Sequence, residues 1–86
     1  MQSKILNYNV LLKKEKEGGY TVTVPSLQGC VTYGKNVEEA KKMASDAIKT
    51  YIVSLQKHGE PVPSDETILI TTLTIPLRIP AKKTYV

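Results

Sequence analysis

Residues 19–59 read GYTVTVPSLQGCVTYGKNVEEAKKMASDAIKTYIVSLQKHG, and this stretch decides the fold. Over residues 20–24, tyrosine and valine alternate with threonine, which is the period-2 pattern of a strand with one buried face. Pro25 cannot donate a backbone hydrogen bond to a neighbouring strand, so we expect the strand to end there. Gly29 can adopt the positive φ of a tight turn, and residues 30–33 then resume the strand pattern.

A long helix follows, and the sequence marks both of its ends. Asn36 can accept hydrogen bonds from the first free N–H groups, and Glu39 completes the spacing of a capping box. Gly59 suits the left-handed position after the last turn, and Pro61 prevents the helix from continuing. The apolar residues between these ends recur at intervals of three and four: Val37, Ala40, Ala44, Ala47, Ile48, Tyr51, Ile52 and Leu55. This stripe predicts one amphipathic helix that packs on a sheet.

On either side of this stretch the chain again has strand patterns. Residues 4–12 alternate in the same way and predict a first strand, which a charged loop over residues 13–19 joins to the next. Residues 67–75 are rich in β-branched side chains and predict a fourth strand. The predicted order is therefore β-β-β-α-β, an α+β fold whose antiparallel sheet carries one long helix on one face. We expect one domain over residues 1–75, followed by an edge extension or tail over residues 76–86.

The composition limits the kind of protein that this chain can be. It has 86 residues, enough for one small domain, and a formal charge of +4 that is spread over alternating signs. Cys30 is the single cysteine, so no intrachain disulfide can form and we expect a reducing compartment. No apolar run is long enough to span a bilayer. These features predict a cytoplasmic protein with no membrane partner.

Catalytic and metal chemistry find little support in the sequence. The eight acidic residues all fall in predicted loops or on the helix, whereas a metal-dependent nuclease needs carboxylates that converge on strand ends. One cysteine and one histidine are too few for a zinc site. Cys30 and His58 lie on different predicted elements, and a lone cysteine in such a strand is typically a small core residue. We therefore expect no enzyme activity, no metal and no cofactor.

One helix cannot cover both faces of a sheet, so the opposite face and the free edges are the expected docking surfaces. The candidate protein-binding residues are Asn7, Asn9, Thr21 and Thr23 on that face, with Leu77, Arg78 and Ile79 at the edge. Binding of RNA is the alternative that the fold class suggests. The carboxylates of Glu38 and Glu39 at the start of the helix argue against it, because they would repel phosphate.

The residues described above also resemble a known family. Within residues 20–34, a strand pattern ends at Pro25, the sequence Ser-Leu-Gln-Gly-Cys follows, and Gly34 precedes the helix. The helix then starts Val-Glu-Glu-Ala at residues 37–40, and His-Gly-Glu-Pro follows at residues 58–61. This pattern is similar to that of the HicB-like antitoxins. Gln28 stands where the family usually has Pro, and Asn36 replaces the common hydroxyl-bearing cap, but neither change disturbs the turn or the cap.

The resemblance implies a partial RNase H-like fold without the nuclease carboxylates. It implies a non-enzymatic protein that binds and blocks a small HicA-type mRNA-cleaving toxin, and we expect this protein to self-associate as a homo-oligomer. Many family members also carry a C-terminal helix-turn-helix or ribbon-helix-helix segment that binds DNA. After Ile75 this chain has eleven residues, two of them proline, so we do not expect it to bind DNA. Two alternatives stay open: an RNA-binding or regulatory domain with no toxin partner, and a residual hydrolase.

Overall fold

The computed structural model describes residues 5–65 and 68–80 of the chain. Its elements follow in the order β1 (Leu11–Lys14), β2 (Tyr20–Thr23), β3 (Val31–Gly34) and α1 (Val37–Lys57). The three strands form one antiparallel sheet in the order β1-β2-β3, and α1 packs on one face of it. This arrangement confirms the predicted α+β fold with an antiparallel sheet and one long helix.

The turn between β2 and β3 is formed as the sequence predicts. Gly29 has a φ of 78°, which lies in the left-handed region that favours glycine. The backbone N–H of Val24 donates to the carbonyl oxygen of Cys30 at 3.1 Å, and the N–H of Cys30 donates to the carbonyl oxygen of Leu27 at 3.0 Å. These hydrogen bonds close the turn and bring β3 back antiparallel to β2.

Both ends of α1 carry the predicted caps. The side chain of Asn36 accepts a hydrogen bond from the Glu39 backbone N–H at 2.8 Å. The Glu39 carboxylate accepts from the N–H of Lys35 at 3.2 Å, one residue earlier than in a capping box. After the last turn Gly59 has a φ of 67°, and the next N–H donates to the Leu55 carbonyl oxygen at 2.9 Å, as in a Schellman motif.

No helix in the described part of the chain combines the length and the apolar composition that crossing a membrane requires.

The core lies between the sheet and α1 and consists of two small clusters. They are Val22 with Ala40 and Ala44, and Val24 with Leu27 and Cys30. Because alanine is small, the start of α1 can lie very close to β3. A Cβ atom added to Gly34 would be 2.3 Å from the backbone nitrogen of Ala40. Small residues therefore set the distance between the helix and the sheet.

The first strand is shorter than predicted and begins later. β1 covers Leu11–Lys14, whereas the prediction was residues 4–12, the first of which lies outside the described residues. The first residue of β1 pairs with Thr23, the last residue of β2. Pro25 soon afterwards has no N–H with which to extend the pairing. Residues 5–10 are therefore in no strand. Their predicted alternation is present in part, since Tyr8 and Val10 pack against the core, whereas Leu6 on the same predicted side is 41% exposed.

The predicted fourth strand is not formed. Thr67 lies outside the described residues, and residues 68–75 belong to no strand and no helix. A β-branched segment becomes a strand only where another strand supplies backbone hydrogen bonds, and the described sheet ends at β1 and β3. The molecule measures 62 × 29 × 20 Å with a radius of gyration of 17.1 Å, compared with about 12 Å for a compact chain of this length. The exposed C-terminal segment thus extends away from the body of the domain.

The loop after α1 is tied to the residues that precede β1. The hydroxyl of Tyr8 donates to the carbonyl oxygen of Pro63 at 2.6 Å. The Asp65 carboxylate accepts hydrogen bonds from the backbone N–H of Asn9 and from the hydroxyl of Ser26. Burial and, to a smaller extent, the Asp65 carboxylate raise the pKa of the Tyr8 phenol. These contacts fix the place from which the C-terminal segment leaves the domain.

Candidate protein-binding surface

The face of the sheet that points away from α1 is defined by the strand register. Val22 of β2 is buried under the helix, so its immediate neighbours in β2 point to the other side. Directly paired residues of antiparallel strands share a face. The residues of this face, which we call the open face, form two rows across the sheet: Leu11, Thr23 and Val31, and Lys13, Thr21 and Tyr33.

The open face combines apolar side chains with a polar centre. Leu11, Val31 and Tyr33 on the two outer strands are each about half exposed, with Val31 at 57%. Thr21 and Thr23 lie between them on the central strand and are less exposed. Exposed apolar side chains around hydrogen-bonding groups are typical of surfaces that bind other proteins.

Two hydrogen bonds hold side chains of the open face in place. The hydroxyl of Thr21 donates to the Glu15 carboxylate at 3.1 Å. The hydroxyl of Tyr33 donates to the backbone carbonyl of Gly18 at 2.9 Å. A side chain that is ordered before binding loses less conformational entropy when a partner covers it. The β1–β2 hairpin therefore pre-organises one end of this surface.

The structure brings together only part of the predicted binding site. Thr21 and Thr23 are neighbours on the open face, as predicted. Asn7 and Asn9 are exposed but precede β1, so they lie outside the sheet. The segment Leu77–Ile79, with Arg78 at its centre, is also exposed and belongs to no strand. Within this chain it therefore lies in an extended tail, the second of the two predicted alternatives, and its role in binding stays a prediction.

Sequence reasoning missed Val31 and Tyr33 as candidates for this surface. The signal was available, because a tight turn at Gly29 sets the register of β3 against β2. That register pairs Val31 with Thr23 and Tyr33 with Thr21. Alternation within one strand identifies two faces, but only the pairing shows which residues of different strands share one.

Within residues 5–65 and 68–80, no three His, Cys, Asp or Glu side chains lie close enough together to hold a metal ion. Cys30 is buried and packs against Val24 and Leu27. Burial raises the pKa of its thiol, which disfavours the nucleophilic thiolate. His58 lies at the end of α1, where a ring nitrogen is 2.8 Å from the carbonyl oxygen of Ser54. Cys30 is therefore a core residue, as its sequence context predicts.

The fold and this surface together define a small α+β module with one helix-covered sheet face and one uncovered face. Over residues 8–74 the chain matches the model of a family described as the HicB-like antitoxin of bacterial toxin–antitoxin systems. The match covers well over half of the chain, and the protein belongs to this family. The resemblance seen in the strand, turn and helix motifs is thereby confirmed.

Relatives with similar sequences agree with this assignment. A UPF0150 protein of Thermoplasma acidophilum is 44% identical over 66 residues, which are 77% of this chain and 96% of that protein. A UPF0150 protein of Synechocystis is also 44% identical over 66 residues, 77% of this chain and 84% of that protein. Antitoxin HicB 1 of Photorhabdus laumondii is 32% identical over 79 residues, 92% of this chain and 51% of that protein. The chain thus spans about half the length of that antitoxin.

Proposed function

We propose that this protein is a non-enzymatic antitoxin that binds a small HicA-type mRNA-cleaving toxin and blocks it. The family assignment supports the antitoxin role. The observation that carries the proposed binding mode is the open face, where Leu11, Val31 and Tyr33 are about half exposed on a rigid sheet. A partner that covered this face would bury those side chains and gain the free energy of removing them from water.

The charge of the chain favours an apolar interface over an electrostatic one. The formal charge is +4, and an enzyme that cleaves RNA usually carries a basic surface as well. Attraction between opposite net charges therefore contributes little to the complex. Apolar contact on the open face, with strand pairing at a free sheet edge, supplies the affinity in this proposal.

The finer features of the family belong to the same proposal. We place the protein in the cytoplasm, where its toxin would act on mRNA, and we propose that it self-associates. The β-β-β-α order of residues 11–57 agrees with the first part of an RNase H-like fold, over a domain that we take as residues 1–75. None of the eight acidic residues lies in a described strand, so this sheet holds no strand carboxylates of the kind that a nuclease would use.

Co-expression and co-purification with the product of the adjacent small open reading frame, as the candidate toxin, test the proposal. Val31→Arg places a large cation on the open face, and we expect it to weaken the complex at least tenfold and to abolish rescue of growth. Val53→Arg is the matched control, because Val53 is exposed to a similar extent, 47% against 57%, but lies on α1. We expect the control to bind as the wild type does.

The possible outcomes distinguish a failure of the proposed antitoxin role from a failure of the open face as the interface. If wild-type protein forms no complex with that toxin and gives no rescue, the antitoxin role is wrong. If both arginine variants bind like the wild type, the role stands and the open face is not the interface. A salt-sensitive affinity for RNA in the absence of any toxin would favour the RNA-binding alternative.

A further inference from the structure

The C-terminal segment of the described chain has the pattern of a half-buried strand but is buried on neither side. We call residues 68–79 the arm. From Leu69 onwards its odd-numbered positions are apolar except for Thr71, whereas threonine and Arg78 occupy most of the even-numbered positions after residue 70. This alternation is typical of a strand with one dry face. Nevertheless Leu69 is 87% exposed and Leu73 is 77% exposed.

An apolar groove lies beside residues 6–10, which lead into β1 at the open edge of the sheet. Its volume is about 400 Å³, within the usual range of about 300–1,000 Å³ for ligand sites. Its apolar walls are Leu6, Tyr8 and Val10 on one side and Ala44, Ile48 and Ile52 of α1 on the other. The groove thus continues the core between helix and sheet, beyond the point where the described sheet ends.

The edge next to this groove also has free backbone groups. β1 is an outer strand and pairs with β2 alone among the described strands. An outer strand presents unpaired N–H and C=O groups that readily accept a further strand. A strand added along β1 would point every second side chain towards α1. Where such a strand continued alongside residues 6–10, those side chains would enter the groove.

Within the described chain, no strand pairs with the arm, and no added strand fills the groove. The loop that precedes the arm is held beside the N-terminal residues by the bonds of Tyr8 and Asp65. The molecule is 62 Å long along its longest axis, and every arm residue from Leu69 onwards is exposed. The arm therefore does not fill the groove of its own domain in this structure.

We propose that two copies of this chain exchange their arms. The arm of each copy adds as a strand to β1 of the second copy and continues along residues 6–10, where its apolar side chains fill the groove. Both complementary parts lie on the same chain, so a two-fold axis satisfies both copies at once. The twelve arm residues and the nine that line the groove make 21 residues per copy, which is within the range of about 20–30 per side for a stable interface. This exchange gives a structure to the self-association proposed above and does not require a toxin.

The mass of the protein in solution, measured by light scattering, tests the exchange with a matched pair of variants. Leu73→Asp puts a charge on the apolar side of the arm, and Thr72→Asp puts the same charge on the opposite side. Both positions are exposed in this structure, so neither change disturbs the fold of a single copy. We expect a dimer for the wild type and for Thr72→Asp. For Leu73→Asp we expect a dimer dissociation constant at least tenfold higher.

Mixed dimers of isotope-labelled and unlabelled copies then show which chain fills the groove. We expect contacts between the Leu73 methyl groups of one copy and the Tyr8 ring of the other in isotope-filtered NMR spectra. A monomeric wild type, a dimer that Leu73→Asp leaves intact, or contacts confined to one copy or to the two arms would each overturn the exchange. Toxin binding by monomeric Leu73→Asp is measured separately, so the antitoxin role and the exchange can fail independently.

Discussion

The close approach of β3 to α1 makes Gly34 the most informative position for a stability experiment. Replacing Gly34 with Ala adds a Cβ atom 2.3 Å from the Ala40 nitrogen and 2.4 Å from its Cα. The φ of Gly34 is not in the left-handed region, so the effect of the substitution comes from space alone. The nearest pair must separate by about 1 Å to reach ordinary contact at 3.4 Å.

The neighbouring atoms belong to the helix backbone, which cannot rotate away as the end of a long side chain does. The strand and the helix must therefore move apart, and the core contact of Ala40 with Val22 is loosened. We expect Gly34→Ala to lower the free energy of unfolding by about 3 kcal/mol, the upper part of the usual range for overpacking. For a domain of this size that corresponds to a fall in the melting temperature of about 12–24 °C.

Thermal unfolding followed by circular dichroism measures this effect, at one fixed protein concentration because self-association adds to stability. Gly29→Ala is the contrasting control. A Cβ atom at Gly29 meets nothing within 4 Å, but the φ of 78° is unfavourable for alanine, so we expect a loss of about 1–2 kcal/mol. Our account of the helix–sheet contact is wrong if Gly34→Ala is as stable as the wild type or more stable than Gly29→Ala.

Two further predictions concern the helix cap and the buried thiol. Asn36→Ala removes the acceptor for the Glu39 N–H and should lower the free energy of unfolding by about 1 kcal/mol, measured in urea. The neighbouring Lys35→Ala is the control, and equal losses in both variants would contradict the capping role. Burial raises the pKa of the Cys30 thiol in the folded state. When the pH rises above the ordinary thiol pKa of about 8.5, the thiol therefore ionises in the unfolded state before it ionises in the folded state. Stability is therefore complete below that pH and falls as the pH rises towards the folded-state pKa. We expect the urea midpoint to drop between pH 8 and 9.5 in the wild type and to drop less in Cys30→Ala, whereas an equal slope in both would exclude the thiol as the cause.

The parts of the fold that were predictable are those with local causes. The cap at Asn36, the left-handed Gly59 and the turn at Gly29 each depend on the chemistry of a few adjacent residues, and all three are present. The side-chain alternation of β2 depends on one buried face and is also as predicted. For the cap and the two glycine positions the hydrogen-bond partners lie within about six residues of each other, whereas the buried face of β2 is recognisable from its period alone.

The errors concern strands whose existence depends on distant partners. Residues 4–12 and 67–75 have strong strand patterns, but the length of a strand is set by the neighbour that bonds to it. β2 ends at Thr23, so pairing on that side begins only at Leu11. For the arm, no strand is in place beside it within the described chain, and a pattern in one sequence cannot show whether a second copy would provide one.

The candidate surface was predictable to a similar extent. Alternation placed Thr21 and Thr23 on the face opposite the helix, and the register confirms that they are neighbours. Alternation alone did not add Val31 and Tyr33, because their side of the sheet follows from how the turn at Gly29 aligns β3 with β2, which has to be considered together with the alternation. Asn7 and Asn9 were misplaced for a different reason, because β1 is shorter than predicted and both residues precede it.

The helix is far longer than the strands beneath it. Its 21 residues span about 32 Å, whereas a four-residue strand spans about 13 Å. Its later turns project beyond the sheet and are held by the turn after β2, where the Tyr51 hydroxyl donates to the Gln28 carbonyl at 2.8 Å. Amide hydrogens near the C-terminal end of α1 should therefore exchange with solvent through brief local fraying. Those around Ala40 and Ala44 should exchange only when the whole domain unfolds. We therefore expect slow hydrogen exchange in the first half of this continuous helix and fast exchange in its second half.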